Sequence, residues 1–287
     1  MTDIAADQTA RLATALGARS DGSTSVDTTR GLLMTVLGEF VLPNGGCAWT
    51  RSLLGVLAAM GVRDKTARQA LARAEGRWLE RERVGRETRW TLTDPAERLL
   101  RDGATRIYGF GRDNRAWDGR WVVVLASVPE SDRARRYRMG QGLSWIGFGS
   151  LGNGTWLSPW TEQEPDAVAL LDDLAIRATS FLADLGGIGS GPGLVGDAWD
   201  LPGLRRHYDQ FLQDLAGVVA DEPEGAVGEL AAMVHRWRRF PFLDPDLPVE
   251  LLDADWPGHL AAERFAAERT RLMPLANAWW QASEGLD

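Results

Sequence analysis

Basic and amide side chains recur on one face of a short helix-forming stretch, Lys65-Thr66-Ala67-Arg68-Gln69-Ala70-Leu71-Ala72-Arg73-Ala74. At about 100° per residue, Ala67, Ala70, Leu71 and Ala74 share one side. Lys65, Gln69, Ala72 and Arg73 point the other way, with Thr66 and Arg68 on the flanks. That outer face offers bidentate donors in Arg68 and Arg73, an amide suited to adenine in Gln69, and a phosphate contact in Lys65. A second cationic group follows. Arg81, Arg83, Arg86 and Arg89 crowd two β-segments, 78–84 and 88–93, joined by a tip at Gly85-Arg86. Arg83, Arg86 and Arg89 suit a phosphate backbone or a minor groove. A helical stripe of this kind, taken alone, is more often a solvated face. The cationic ribbon directly after it is what favours a duplex contact.

Positioning such groups takes a particular order of elements. Thr50 is placed to cap an apolar helix ending near Met60, Gly61-Val62-Arg63 makes a turn, and Asp64 caps the basic helix. With the hairpin behind it, residues 50–93 read as a winged helix-turn-helix. A helix over 28–42 precedes it, with Leu32, Leu33, Val36, Leu37 and Phe40 on one face, and Pro43-Asn44-Gly45-Gly46 ends that helix. Residues 94–108 follow as a helix with Leu99, Leu100 and Ile107 inward. The winged helix-turn-helix domain is thus expected to span 28–108. Residues 1–27, rich in Ala, Thr, Ser and Asp, are expected to be a disordered tail without a secretory signal.

Residues 109–119 read as a linker. Trp121-Val122-Val123-Val124-Leu125-Ala126-Ser127-Val128 is a buried strand, stopped by Pro129. Ser131 can cap a helix running to about Trp145. A hairpin around Gly152-Asn153-Gly154, an acidic helix over 164–174 and a strand over 178–185 complete a β-α-β-β-α-β order. That order predicts a ferredoxin-like α/β sandwich over 118–186, within an α+β chain. Residues 186–196 read as a glycine-rich linker. A helical C-terminal domain, 198–283, is expected from stretches 201–219, 224–239 and 257–283, the last containing Pro274, with a proline-rich crossing at 240–248.

Formal charge is −8 over 287 residues, which by itself speaks against a polyanionic partner. Its distribution does not. Residues 27–140 hold 21 basic and 14 acidic side chains, whereas residues 141–287 hold nine and 23. One module suits a polyanion, and another does something else. No apolar run reaches the roughly 18–20 residues of a membrane span. A single cysteine, Cys47, fits a reducing cytoplasm.

Catalytic chemistry finds little support. No G-x-S-x-G segment exists, and Cys47 sits beside a turn. His207, His235 and His259 are isolated from cysteine and from each other at metal-ligand spacings, so no metal and no cofactor are expected. Gly191 to Gly196 matches G-x-G-x-x-G, but Pro192 interrupts it and no helix is expected to follow, so a linker is favoured over a dinucleotide loop. Two arginine clusters in the rear lie near aromatics: Arg205-Arg206, and Arg236 with Trp237, Arg238 and Arg239 beside His235. Guanidinium groups against apolar walls suit a ligand with a phosphate-bearing end and a hydrophobic end. The alternative is local pairing with carboxylates such as Asp200, Asp209 and Asp244.

The winged helix, the Trp117-Asp118-Gly119-Arg120-Trp121 lead into a strand, and the stretch from His235 to Gly258 together resemble the PaaX-type repressors of phenylacetate catabolism. The last stretch includes Arg238-Arg239-Phe240-Pro241, Asp244-Pro245-Asp246-Leu247-Pro248 and Asp255-Trp256-Pro257-Gly258. The resemblance covers about residues 28–283. It implies a homodimeric, non-enzymatic repressor bound to double-stranded operator DNA and released by an aryl-acyl-CoA such as phenylacetyl-CoA. Gly76-Arg77-Trp78 departs from the family's frequent Arg-Gly-Trp before the wing. The middle segment also resembles small ferredoxin-like ribonucleases of CRISPR systems, which carry a carboxylate at the end of the first strand. Here Ala126-Ser127-Val128-Pro129 stands there, with no acid before Glu130, so a dimerisation or coupling role is favoured. An acyl-CoA-processing enzyme, a nucleic-acid-processing protein and a ligand-insensitive architectural binder are the rival readings.

Overall fold

The computed structural model describes residues 28–111 and 115–285, so the expected tail over 1–27 lies outside the described residues. They form two compact units, one of residues 28–110, 210–240 and 260–285, the other of residues 111, 115–209 and 241–259.

The first unit begins with α1 (Thr29–Val36), capped by Thr28, whose Oγ1 accepts from Gly31 N. The predicted 28–42 helix is not regular throughout. It passes into a π-helical turn, Leu37–Val41, and a 3-10 turn, Leu42–Asn44. β1 (Cys47–Trp49), α2 (Thr50–Ala59), α3 (Asp64–Ala74), β2 (Leu79–Val84), β3 (Glu87–Leu92) and α4 (Asp94–Gly109) follow. β1 was not foreseen. It pairs with β3 and makes the predicted hairpin a three-stranded antiparallel sheet of order β1-β3-β2.

Two expected caps differ. Thr50 is the first residue of α2 rather than its cap: its hydroxyl donates to Thr88 O (3.0 Å) and accepts from Trp90 Nε1 (2.9 Å), pinning α2 to β3. Asp64 likewise starts α3, with Arg63 in the capping position, and its carboxylate is engaged by Arg68. The unit is completed by residues 210–216 of α8 (Leu201–Ala216), by α9 (Pro223–Trp237), and by α11 (Gly258–Glu284) from residue 260 on. α11 continues through Pro274. The heart of this core is aromatic: Trp237 stacks on Phe265 with centroids 4.6 Å apart, and Phe110, Phe211 and Phe240 close around it.

In the second unit β4 (Arg120–Ala126), α5 (Arg133–Ile146), β5 (Gly149–Gly152), β6 (Thr155–Ser158), α6 (Glu164–Asp173) and β7 (Ala178–Asp184) follow the β-α-β-β-α-β order. Their sheet runs β5-β6-β4-β7 with every neighbouring pair antiparallel. Side chains of β4 alternate between two apolar layers, which explains its unbroken apolar sequence. Val122, Val124 and Ala126 pack with Met139, Leu143 and Leu171, while Trp121 and Val123 pack with Val195, Leu247 and Leu251. Asp132, not Ser131, caps α5, accepting from Arg135 N. The β5–β6 turn requires its glycine: Gly154 has φ +78°, and a Cβ there would lie 2.2 Å from Ala126 O.

The expected linker over 186–196 is corrected. Gly191–Ala198 forms a helix, α7, capped by Ser190, whose Oγ accepts from Gly193 N. Pro192 fits because the first turn of a helix has no use for that N–H, and Val195 anchors the helix in the core. The three motif glycines therefore lie in a helix and form no phosphate-cradling loop. Residues 240–248, expected as a crossing, open with a single helical turn, α10 (Phe240–Leu243).

Candidate nucleic-acid interface

α2 and α3 are joined through Gly61, at φ +81°, whose N–H donates to Ala58 O, while Val62 N donates to Leu57 O. Ala67, Ala70, Leu71 and Ala74 are buried, as the helical spacing demands. Lys65, Arg68, Gln69 and Arg73 are exposed, and Thr66 is half-buried. Arg68 is not idle: its Nε donates to Asp64 Oδ2 at 2.8 Å, one turn earlier. Such an exposed pair is worth a few tenths of a kcal/mol, so a better acceptor readily replaces it.

In the hairpin, Arg83 faces Thr88 and Val84 faces Glu87, which leaves Gly85-Arg86 as the tip. Arg83, Arg86 and Arg89 are all exposed. Arg83 Nε donates to Gly85 O at 3.3 Å, steadying the tip. Arg89 Nη2 contacts Cys47 Sγ at 2.7 Å and lies 5.8 Å over the Trp49 ring. Arg81 reaches Glu75, just beyond the end of α3, at 3.2 Å. That ion pair ties the hairpin to the basic helix, so the two cationic elements predicted from sequence are joined in one module.

Other arginines near this surface escaped the sequence reading. Arg30 and Arg77 both lie over the Trp78 ring system, at 4.5 and 5.2 Å. Burial, then the neighbouring Arg77, lowers the Arg30 pKa. Arg51 pairs with Glu87 and donates through Nε to Ser283 O at 2.6 Å, and Trp49 N donates to Glu284 Oε1 at 2.9 Å. The end of α11 thereby braces the sheet. No local sequence signal announces a contact across more than 230 positions.

The rear arginine clusters fall in both units. Arg205 and Arg206 belong to the second. There Arg205 pairs with Asp255 (3.0 Å) and Asp253 (3.4 Å) and lies 5.3 Å over Trp256, while Arg206 is exposed. His235, Arg236, Trp237, Arg238 and Arg239 belong to the first. Arg236 sits 3.5 Å from Asp214, and His235 Nδ1 meets Thr35 Oγ1 at 2.8 Å. Trp237 is fully buried and donates from Nε1 to Ile107 O. Burial, and then Arg239, push the Arg238 guanidinium down to about 9. The ion-pair partners of Arg205 are Asp253 and Asp255, with the charge of Asp209 also acting on it, and that of Arg236 is Asp214. Asp200 instead caps α8, accepting from Gly203 N, and Asp244 accepts from the Tyr208 hydroxyl at 2.5 Å.

Among the described residues no group of three or more His, Cys, Asp or Glu side chains is arranged to hold a metal ion. Among the same residues no helix is long and apolar enough to cross a membrane.

Three family profiles match consecutive parts of the chain. One described as PaaX-like protein covers residues 28–96, one described as PaaX protein central Cas2-like domain covers 114–194, and one described as PaaX-like protein C-terminal domain covers 199–282. The transcriptional repressor PaaX of Escherichia coli (strain K12) is 31% identical over 263 residues, 86% of this chain and 81% of that protein. Among solved structures, the uncharacterized protein Rv0674 from Mycobacterium tuberculosis matches with a TM-score of 0.61 at 25% identity, over 89% of this chain and 99% of that one. Three profiles in the same order and a relative aligned over most of its length lead to one conclusion: the chain belongs to the PaaX family of transcriptional repressors.

Proposed function

We propose that the chain represses an aromatic-acid catabolic operon of the phenylacetate type, binding double-stranded operator DNA and leaving it when an aryl-acyl-CoA such as phenylacetyl-CoA binds. Residues 28–108 act as the winged helix-turn-helix, 118–186 as a ferredoxin-like coupling and dimerisation domain, and 198–283 as the helical effector-sensing part. The observation that carries this reading is the pairing of an exposed basic helix, α3, with an exposed arginine hairpin in one module, the two linked by the Arg81–Glu75 contact. Lys65, Thr66, Arg68, Gln69 and Arg73 enter the major groove, and Arg83, Arg86 and Arg89 follow the backbone or the minor groove. The protein works in the cytoplasm and is a regulator rather than an enzyme.

Effector contacts are assigned within each unit separately: Arg205 and Arg206 in the second, and His235, Arg236, Trp237, Arg238 and Arg239 in the first. Exposed Arg206, beside the half-buried Arg205, suits the phosphate-bearing end of a CoA thioester.

Homodimer formation is supported by an unequal pair of sheet edges. β5 is four residues long and irregular at Ser150 and Gly152, a blunted edge. β7 has seven residues without lysine or proline, and Phe181 and Leu182 are 52% and 49% exposed. Edges of this second kind pair with another strand, and a second β7 related by two-fold symmetry is the partner assigned here. Two-fold symmetry in turn gives a roughly palindromic operator. Phe181→Asp should shift the sedimenting species from dimer to monomer, and an unchanged mass would remove this interface.

Gel retardation with fragments of the protein's own promoter region, at low ionic strength, tests the DNA reading. Failure to retard any of them sinks it. Titration calorimetry with phenylacetyl-CoA, with and without operator, tests the effector. A ligand that releases DNA must bind more weakly to the DNA-bound form, so equal affinities in the two titrations remove the inducer role.

A further inference from the structure

In the second unit, α5 carries four arginines in its first six residues, Arg133, Arg135, Arg136 and Arg138, and no acidic residue along its whole length. Its setting is the reverse. The described residues of this unit hold nine arginines and no lysine against 17 carboxylate side chains. Nearly half the arginines of an acidic unit therefore sit on two turns of one helix.

Packing does not account for them. Met139 and Leu143 turn into the core, and a Cβ on Gly142 would meet Leu170 of α6 at 2.5 Å, which fixes the inward side. At about 100° per residue Arg133 and Arg138 flank the outward side, and both are exposed, as is Arg136 beside Arg133. Among the described residues the only ion pair of the four arginines is that of Arg135 with the capping Asp132, at 3.1 Å. Arg136 reaches Val128 O at 3.4 Å. α6, acidic and packed against α5, supplies no ion-pair partner to Arg133 or Arg138.

Electrostatics within the helix speaks against the arrangement as well. Arg133 and Arg136 are three positions apart, so they are like-charged neighbours on the helix surface. Arg133, Arg135 and Arg136 also stand at the end where the helix dipole opposes positive charge. Both effects weaken the free helix, and an external anion offsets both.

We propose that α5 is a second polyanion-binding face and that its occupant is the phosphate backbone of duplex DNA. The proposal rests on the reading of the chain as a DNA-binding repressor and extends the contact to a domain assigned above to coupling and dimerisation. Charge selects the occupant, because the planar fork of arginine matches phosphate oxygens. Contacts of this kind hold a protein on any sequence and read none. Operator discrimination stays with α3, while the salt sensitivity of binding is shared with α5.

The test uses the full chain and a duplex of unrelated sequence. Arg133→Ala/Arg138→Ala should bind it about tenfold more weakly at low salt, with the slope of log affinity against log salt reduced by about two. Alanine is the best helix former, so these exposed substitutions leave the fold intact. Arg133→Lys/Arg138→Lys should recover most of the slope, because a phosphate contact needs the charge.

An Arg133→Ala/Arg138→Ala protein with the parent's affinity and slope overturns the proposal and leaves the operator reading standing. Loss of binding in that protein, but not in Arg68→Ala/Arg73→Ala, supports α5 and removes the α3 reading instead. Two other outcomes also overturn it. One is tighter binding of single-stranded RNA than of duplex through the same arginines. The other is an alanine variant that sediments as a monomer where the parent is a dimer, which makes the patch a contact between copies.

Discussion

The arginines of α3 and the hairpin and those of the C-terminal helices are the same residue under opposite conditions. Arg73, Arg83 and Arg86 are exposed, and Arg68 makes an exposed pair with Asp64. Arg238 is 3% exposed, and Arg236 and Arg269 lie against Asp214 and the buried Glu39. Solvated guanidinium groups contribute almost nothing to stability and remain available to a polyanion. Buried ones are costly to strand and lock helices together. The difference lies in exposure, not in local enrichment in arginine.

The largest effect that sharpens this comparison is on stability. Trp237→Ala should cost about 3–5 kcal/mol in denaturant unfolding, because Trp237 fills the centre of the aromatic core. Arg86→Ala should stay within about 0.5 kcal/mol of the parent. Comparable losses would abolish the contrast between the two regions.

Next comes the pH response of the second unit. Burial pushes the Asp244 carboxyl from an ordinary 3.8 up to about 6, against the hydrogen bonds from Tyr208 and from Asp246 N. The folded form therefore holds this proton more tightly than the unfolded chain does. Its contribution is fully present below about pH 4 and is lost as pH rises through about 6, a change of about 3 kcal/mol. Asp244→Asn should flatten that part of the stability–pH profile, and an unchanged slope would place its origin elsewhere.

On the DNA side, Arg73→Ala or Arg68→Ala should weaken operator binding by about 1–3 kcal/mol, for any side chain in bidentate contact with a base. If both bind like the parent, α3 is not the reading element. The smallest expected effect is that of Arg86→Ala, which should lower affinity evenly across sequences and reduce the salt slope by about one.

Periodicity made much of this legible. The inner face of α3 follows from four apolar positions at helical spacing, and the β-α-β-β-α-β order from strand and turn chemistry. Contacts distant in sequence stayed hidden. β1 is three residues long, too short to show an alternation, and it exists because β3 offers it a partner. α7 was lost because three glycines and a proline read locally as a linker, whereas burial of Val195 decides the matter. The inward turn of Glu39 had no signal either, since a π insertion shifts register without changing composition. The exposure of the arginines on α3 and the hairpin was legible because exposed residues answer to local pattern. The partners of the buried ones come from segments far away in sequence.

Lys65 is the only lysine in the chain, and it stands exposed in the first turn of α3. No other side chain carries a primary amine, so acylating reagents selective for such groups have one side-chain target in the whole protein. A single fluorophore attached there would report on the basic helix directly, and its bulk would test by obstruction whether a duplex needs that face.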